Sequence, residues 1–159
     1  MLNELSLPSN PFRVGFEPYD GYYDVVADAC GIAIRRAVVR AIVSETMQAE
    51  REACVPASWA FASYYKSDER YGGWASTITG VDRGIRLTVE ICLMERLPGV
   101  WISCSASNLR ERPVRLHRID PLLAEPGSGG GLSLAGNWED ADDQAGGDDP
   151  TGAGRDRER

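Results

Sequence analysis

Histidine occurs once in this chain, at His117, and lysine once, at Lys66. A single imidazole cannot build a histidine-rich metal centre. The four cysteines, Cys30, Cys54, Cys92 and Cys104, include no CxxC pair, so the close-spaced ligands of a structural zinc site are missing too. No GxSxG, HExxH, P-loop or GxGxxG motif is present. No segment approaches the roughly 18 apolar residues that a membrane helix needs. The first residues, MLNELSLPSNPF, lack the basic and apolar regions of a secretory leader. These absences predict a cytoplasmic, non-enzymatic protein with four reduced thiols, no metal, no cofactor and no membrane partner.

Charge is present but uneven. Residues 137–159 hold eight acids and three arginines, whereas residues 1–136 are nearly balanced, with sixteen acids and fourteen bases. The tail therefore carries most of the net charge of −7. Such a block usually stays solvated; the alternative is a docking tail for a basic partner or a nucleic-acid mimic. The excess of sixteen arginines over one lysine fits the codon bias of a GC-rich genome and carries no chemical message.

The clearest pattern is GIRLTVEICLMERLPGVWISCSASN, residues 84–108. Ile85, Leu87, Val89, Ile91 and Leu93 alternate with Arg86, Thr88, Glu90, Cys92 and Met94, and Val100, Ile102, Cys104 and Ala106 alternate with Trp101, Ser103, Ser105 and Ser107. A period of two over both arms predicts a half-buried hairpin. A two-residue Pro98-Gly99 loop would set Leu93 opposite Cys104 and Ile91 opposite Ala106 on the inner face. It would set Arg96 opposite Trp101 and Met94 opposite Ser103 on the outer one. Pro-Gly suits a type II turn while tight hairpins prefer the primed types, so a longer loop stays open.

Before this hairpin, residues 12–16 predict a strand, 18–21 a turn and 22–28 a second strand. Ala29-Cys30-Gly31 predicts a loop with Gly31 left-handed, and 32–35 the returning strand. Residues 37–54 predict a helix, because Val39, Ile42, Val43, Thr46, Met47, Ala49 and Ala53 share one stripe at 100° per residue. Glu50 falls inside that stripe, either reaching water from a frayed last turn or buried with a role. A single helix over 22–53 is the rival, disfavoured by its length and by Gly31. Residues 57–73 admit a strand or a short helix capped by Ser58. Residues 74–79 predict a strand, 81–84 a glycine turn and 114–119 a last edge strand.

Together these predict an α+β domain over residues 1–125: an antiparallel β-sheet, a meander around the central hairpin 84–108, packed against one main amphipathic helix. A flexible glycine-rich linker and an acidic disordered tail follow over 126–159. Leu132, Leu134 and Trp138 in that tail read as a loose segment or a short docking motif.

Tyr23-Asp24-Val25-Val26-Ala27-Asp28-Ala29-Cys30-Gly31, a following strand, and Ala49-Glu50-Arg51-Glu52-Ala53-Cys54 resemble the hairpin-plus-helix of small uncharacterised bacteriophage and prophage accessory proteins of GC-rich hosts. The likeness covers about residues 12–54, with one residue inserted before the turn. It implies a phage setting and brings no activity with it.

Two binding surfaces stand out. On the outer hairpin face, Trp101, Met94, Arg96 and Ser103 combine an aromatic, a flexible thioether and a guanidinium, the make-up of a protein-binding hot spot. Another element folding over Trp101 is the plainer alternative, and a second copy of the chain is one such cover. The other surface is LRERPVRLHR, in which Arg110, Arg112, Arg115 and Arg118 are spaced to track phosphates. Against it stands the acidity of the whole chain. His117, within this cluster, is either a solvated edge residue or a base for a distant serine or cysteine. The leading expectation is thus a non-catalytic protein that binds or inhibits another protein; the second is a small nucleic-acid-binding regulator.

Overall fold

A computed structural model describes residues 3–125 and 130–134. Among the described residues eleven strands run in chain order: β1 (Asn3–Ser6), β2 (Arg13–Glu17), β3 (Tyr22–Ala27), β4 (Ile32–Ser44), β5 (Glu52–Cys54), β6 (Ala60–Lys66), β7 (Gly73–Asp82), β8 (Ile85–Met94), β9 (Val100–Asn108), β10 (Arg115–Leu123) and β11 (Gly131–Leu134). The one helical element among the described residues is a single 3-10 turn at Asp28–Cys30. No helix there is long and apolar enough to cross a membrane. The expected α+β class is therefore wrong: this is an antiparallel β-structure with no main amphipathic helix.

The missing helix is β4 with the bend that follows it. Ile34 packs towards the core, and so do Ala37, Val39, Ala41 and Val43. The parity changes between 34 and 37 because the chain bulges there. Arg36 has φ 51°, and the β3–β4 pairing slips between Tyr23 and Val25. Asp24 secures the bulge by accepting the Arg36 N–H at 2.7 Å. The expected helical stripe begins only after this bulge, where the segment alternates strictly as a strand: Val39 and Val43 are inward positions, Ile42 is on the other face, and Thr46 and Met47 fall in the exposed bend. The Val and Ile side chains of β4 suit a pleated surface better than a helix. Glu50 lies in the exposed segment 45–51, so the buried-carboxylate alternative is ruled out.

Long β4 organises the first sheet, ordered β1-β2-β3-β4-β10. β3 and β11 flank its first half, and β10 and β5 its second. Gly131–Leu134 thus forms a strand within the range expected as linker and tail. Apart from Gly130, the rest of that range, including Trp138, lies outside the described residues. The second sheet is β6-β7-β8-β9. Its strands follow one another directly, and Arg83 (φ 49°) and Gly84 (φ 74°) turn β7 into β8 as a two-residue primed turn. Gly31 is left-handed at φ 66°, as expected, but its loop holds four residues, 28–31.

The two sheets share one core. Phe16, Tyr23, Val25, Val39 and Val43 from the first meet Ile78, Ile85, Leu87, Val89, Ile91 and Leu93 from the second. The segment between β5 and β6 joins them: the Trp59 N–H donates to Pro18 O at 2.8 Å and its indole Nε1 to Gly21 O at 3.1 Å.

Candidate functional site

The central hairpin forms with the faces expected but a different register. Leu93 pairs with Val100, Ile91 with Ile102 and Val89 with Cys104. The loop is 95–99, not Pro98-Gly99 alone. The register differs from the two-residue one by four positions, an even number, so every side chain keeps its face while its partner changes. On the outer face Trp101 therefore sits opposite Cys92, and Ser103 opposite Glu90. Met94 ends β8, and Arg96 stands in the loop. The four residues expected as a site share one end of this sheet without the pairings expected.

A residue missed from sequence completes the surface. Tyr71 stacks on Trp101, with centroids 4.2 Å apart and planes at 23°, and its carbonyl oxygen accepts the Cys92 thiol at 3.2 Å. The connection that carries Tyr71 is held by Asp68, whose carboxylate accepts the N–H groups of Arg70 and Tyr71, each at 2.8 Å. Arg96 Nη1 donates to Glu69 O at 3.3 Å, linking this connection to the hairpin loop. Segment 67–72 thus covers one face of the indole, and Trp101 stays 37% exposed. Alongside, the Glu90 carboxylate accepts from Tyr64 and Lys66. Burial alone would raise the Glu90 pKa, but those two bonds and the Lys66 charge outweigh it, and the net shift is downward.

The N–H groups of Tyr71 and then Arg70 hold the Asp68 carboxyl below its ordinary value. Its anchoring is complete above an unfolded value near about 3.9 and is lost as pH falls through the lower folded value. The near-UV circular dichroism of the Tyr71–Trp101 stack should therefore fade at acid pH, before global unfolding, and be weak at neutral pH in Asp68→Ala. A stack signal that persists until the chain unfolds would contradict this.

The arginine cluster is partly neutralised. Arg110 Nη2 bonds Glu52 Oε2 at 2.9 Å, and its Nε donates to Arg83 O at 2.8 Å. Arg118 pairs with Asp120 at 3.0 Å, which also holds Arg40 at 2.9 Å. Arg112 and Arg115 stay exposed with no ion pair among the described residues. Two of the four guanidiniums thus already face carboxylates, which weakens the cluster as a track for phosphates.

His117 does meet a distant serine: its Nε2 lies 2.7 Å from Ser44 Oγ. Ser44 is fully buried, and its hydroxyl hydrogen goes to Thr46 O at 2.7 Å. A hydroxyl has one hydrogen, so Nε2 must be the donor to Oγ. An imidazole donating to a hydroxyl is not acting as its base, and the pair ties the bulged β10 to the end of β4.

The cysteines stand unpaired. Cys30 is exposed, Cys54 and Cys92 are buried, and Cys104 is half-buried. Burial pushes the Cys104 thiol up to about 11 and also raises Cys54 and Cys92, so their thiolates are scarce at neutral pH. A thiol reagent should modify Cys30 alone in the native protein and all four residues in denaturant. Fast native labelling of a second cysteine would contradict this burial.

Comparison with family models, with curated proteins and with solved structures finds no match.

Proposed function

We propose that this chain is a non-catalytic accessory protein of phage type that engages another protein through the outer face of its second sheet. The observation carrying this reading is the Tyr71–Trp101 stack, held in place by Asp68 yet leaving the indole partly open to solvent. Met94 and Arg96 stand at the same end of the sheet, an aromatic, thioether and guanidinium mixture suited to a binding hot spot. A pre-stacked indole also loses little side-chain freedom on binding. The phage setting and the host cytoplasm rest on the resemblance of residues 12–54. With no helix after the hairpin, that resemblance is confined to the hairpin sequence.

Trp101→Ala tests the reading. Partner proteins captured from a bacterial host lysate by the immobilised chain should bind the variant about 30-fold more weakly, the equivalent of about 2 kcal/mol. The double variant Arg112→Ala/Arg115→Ala should bind them as the parent does. Retention on DNA that falls with salt, and is abolished by the arginine changes, would instead favour the nucleic-acid reading.

A further inference from the structure

The outer edges of the two sheets differ in how they are protected. β1 is four residues long and carries Glu4. β10 has two register breaks, two arginines and Pro121. β9 runs beside β10 at the sandwich corner. β6, seven residues of AFASYYK, pairs with β7 without a break and has no proline and no charge before Lys66. Natural edge strands are usually blunted by one of these devices, and β6 has only its terminal lysine.

The hydrogen-bonding sense of β6 follows from the register. The two-residue turn makes Asp82 and Ile85 a hydrogen-bonded pair. At the other end of the same ladder, the Glu95 N–H donates to Gly72 O at 3.1 Å. Even-numbered residues of β7 therefore bond to β8 and odd-numbered ones to β6. Their β6 partners are Ala60, Ala62, Tyr64 and Lys66. The N–H and C=O groups of Phe61, Ser63 and Tyr65 point out along the free edge. Among the described residues none of these groups has a main-chain partner.

We infer that β6 is a self-association edge: two copies of this chain pair their β6 strands antiparallel about Ser63, joining two four-stranded sheets into one. Centring on Ser63 sets Phe61 against Tyr65 of the second copy and Ser63 against itself, with about six inter-chain main-chain hydrogen bonds. On the inner face Phe61 meets Tyr65, and on the outer face Ala62 meets Tyr64, a small residue against a large one. The charges are compatible as well. The strand's one cation, Lys66, meets Ala60 rather than a like charge, and Glu90 already neutralises it. Tyr65 and Trp74, packed edge to face at 5.9 Å yet about half exposed, would be covered by this pairing.

Light scattering coupled to size exclusion of the full chain should give a mass rising to that of a dimer with concentration. Ser63→Lys sets two lysines against each other at the two-fold axis and should weaken dimerisation at least tenfold relative to Ser63→Ala, which loses the same 2.9 Å hydroxyl bond to buried Ser76 but adds no charge. Ser63→Pro, which removes an outward N–H together with the hydroxyl bond to Ser76, serves the same end against the same Ser63→Ala reference if the lysine variant does not fold. In a Cys30→Ser background, Ser63→Cys should crosslink under mild oxidation. Directly opposed hydrogen-bonded residues lie about 5.5 Å apart at Cα, within disulfide reach. A parent that stays monomeric at high micromolar concentration, a Ser63→Lys dimer as tight as that of Ser63→Ala, or a Ser63→Cys variant that does not crosslink would overturn the proposal. Trp101 lies on β9, at the other side of this sheet, so Trp101→Ala should leave the dimer intact; the two readings can fail separately.

Discussion

Phe16→Ala should destabilise this protein by about 3–5 kcal/mol. Phe16 is 1% exposed and links the two sheets. Its ring stacks on Tyr23 of β3 at 6.4 Å and meets Phe61 of β6 edge-on at 4.9 Å. Truncation removes the contacts from both sides and leaves a cavity that neither sheet can close without breaking its own pairing. Urea unfolding should show a lower midpoint at an unchanged slope. The companion change is Met47→Ala. A helix over 37–54 would put Met47 in the core and make its loss costly, by about 2–5 kcal/mol. In this structure Met47 is 71% exposed, and its loss should fall within about 0.5 kcal/mol. A small effect for Phe16 or a large one for Met47 would mean that the sheets pack otherwise than described.

Gly73→Ala should come next in size, at about 3 kcal/mol. Gly73 opens β7 between Lys66 on one side and Met94 on the other. A Cβ there would fall on the Leu93 carbonyl oxygen, well inside the 3.0 Å that real Cβ atoms keep, and near the Glu95 nitrogen. Both obstacles are backbone, so relief requires moving β8 rather than turning a side chain. φ of +156° adds to the penalty. Gly131→Ala is the control, since a Cβ there meets nothing within 4 Å, and its effect should stay below about 1 kcal/mol. Equal effects at the two positions would show that the clash at Gly73 is relieved without cost. Thermal or urea unfolding of the two variants side by side decides it.

Local turn chemistry and strict alternation were legible along the chain. Gly31 and Gly84 stand where the chain needs positive φ, and Ile85 to Leu93 bury the face that their period of two assigns them. The helix expectation failed for a definable reason. The stripe joined Val39 and Val43, two inward strand positions, to Thr46, Met47 and Ala49 in the exposed bend beyond β4, and a period of 100° does not tell the strand from the bend. The bulge at Arg36, ahead of that stripe, was hidden as well. Nothing local identifies the bulge, because the Asp24 carboxylate that secures it comes from the neighbouring strand.

The candidate site divides in the same way. Alternation by itself determined that Trp101 and Ser103 face away from the core, because side-chain direction in a strand depends only on position. It could not determine the register: a shift of four residues preserves every face, so the apolar pattern is equally satisfied by both pairings. Nor could it bring Tyr71 onto Trp101, or Glu52 onto Arg110, since these residues lie far apart in sequence and meet only where separate strands end side by side. Tertiary structure also decided the fate of β4. Its valines and isoleucines favour a strand only weakly on their own, and they become one because β3, β10, β5 and β11 supply hydrogen-bonding partners along both of its edges.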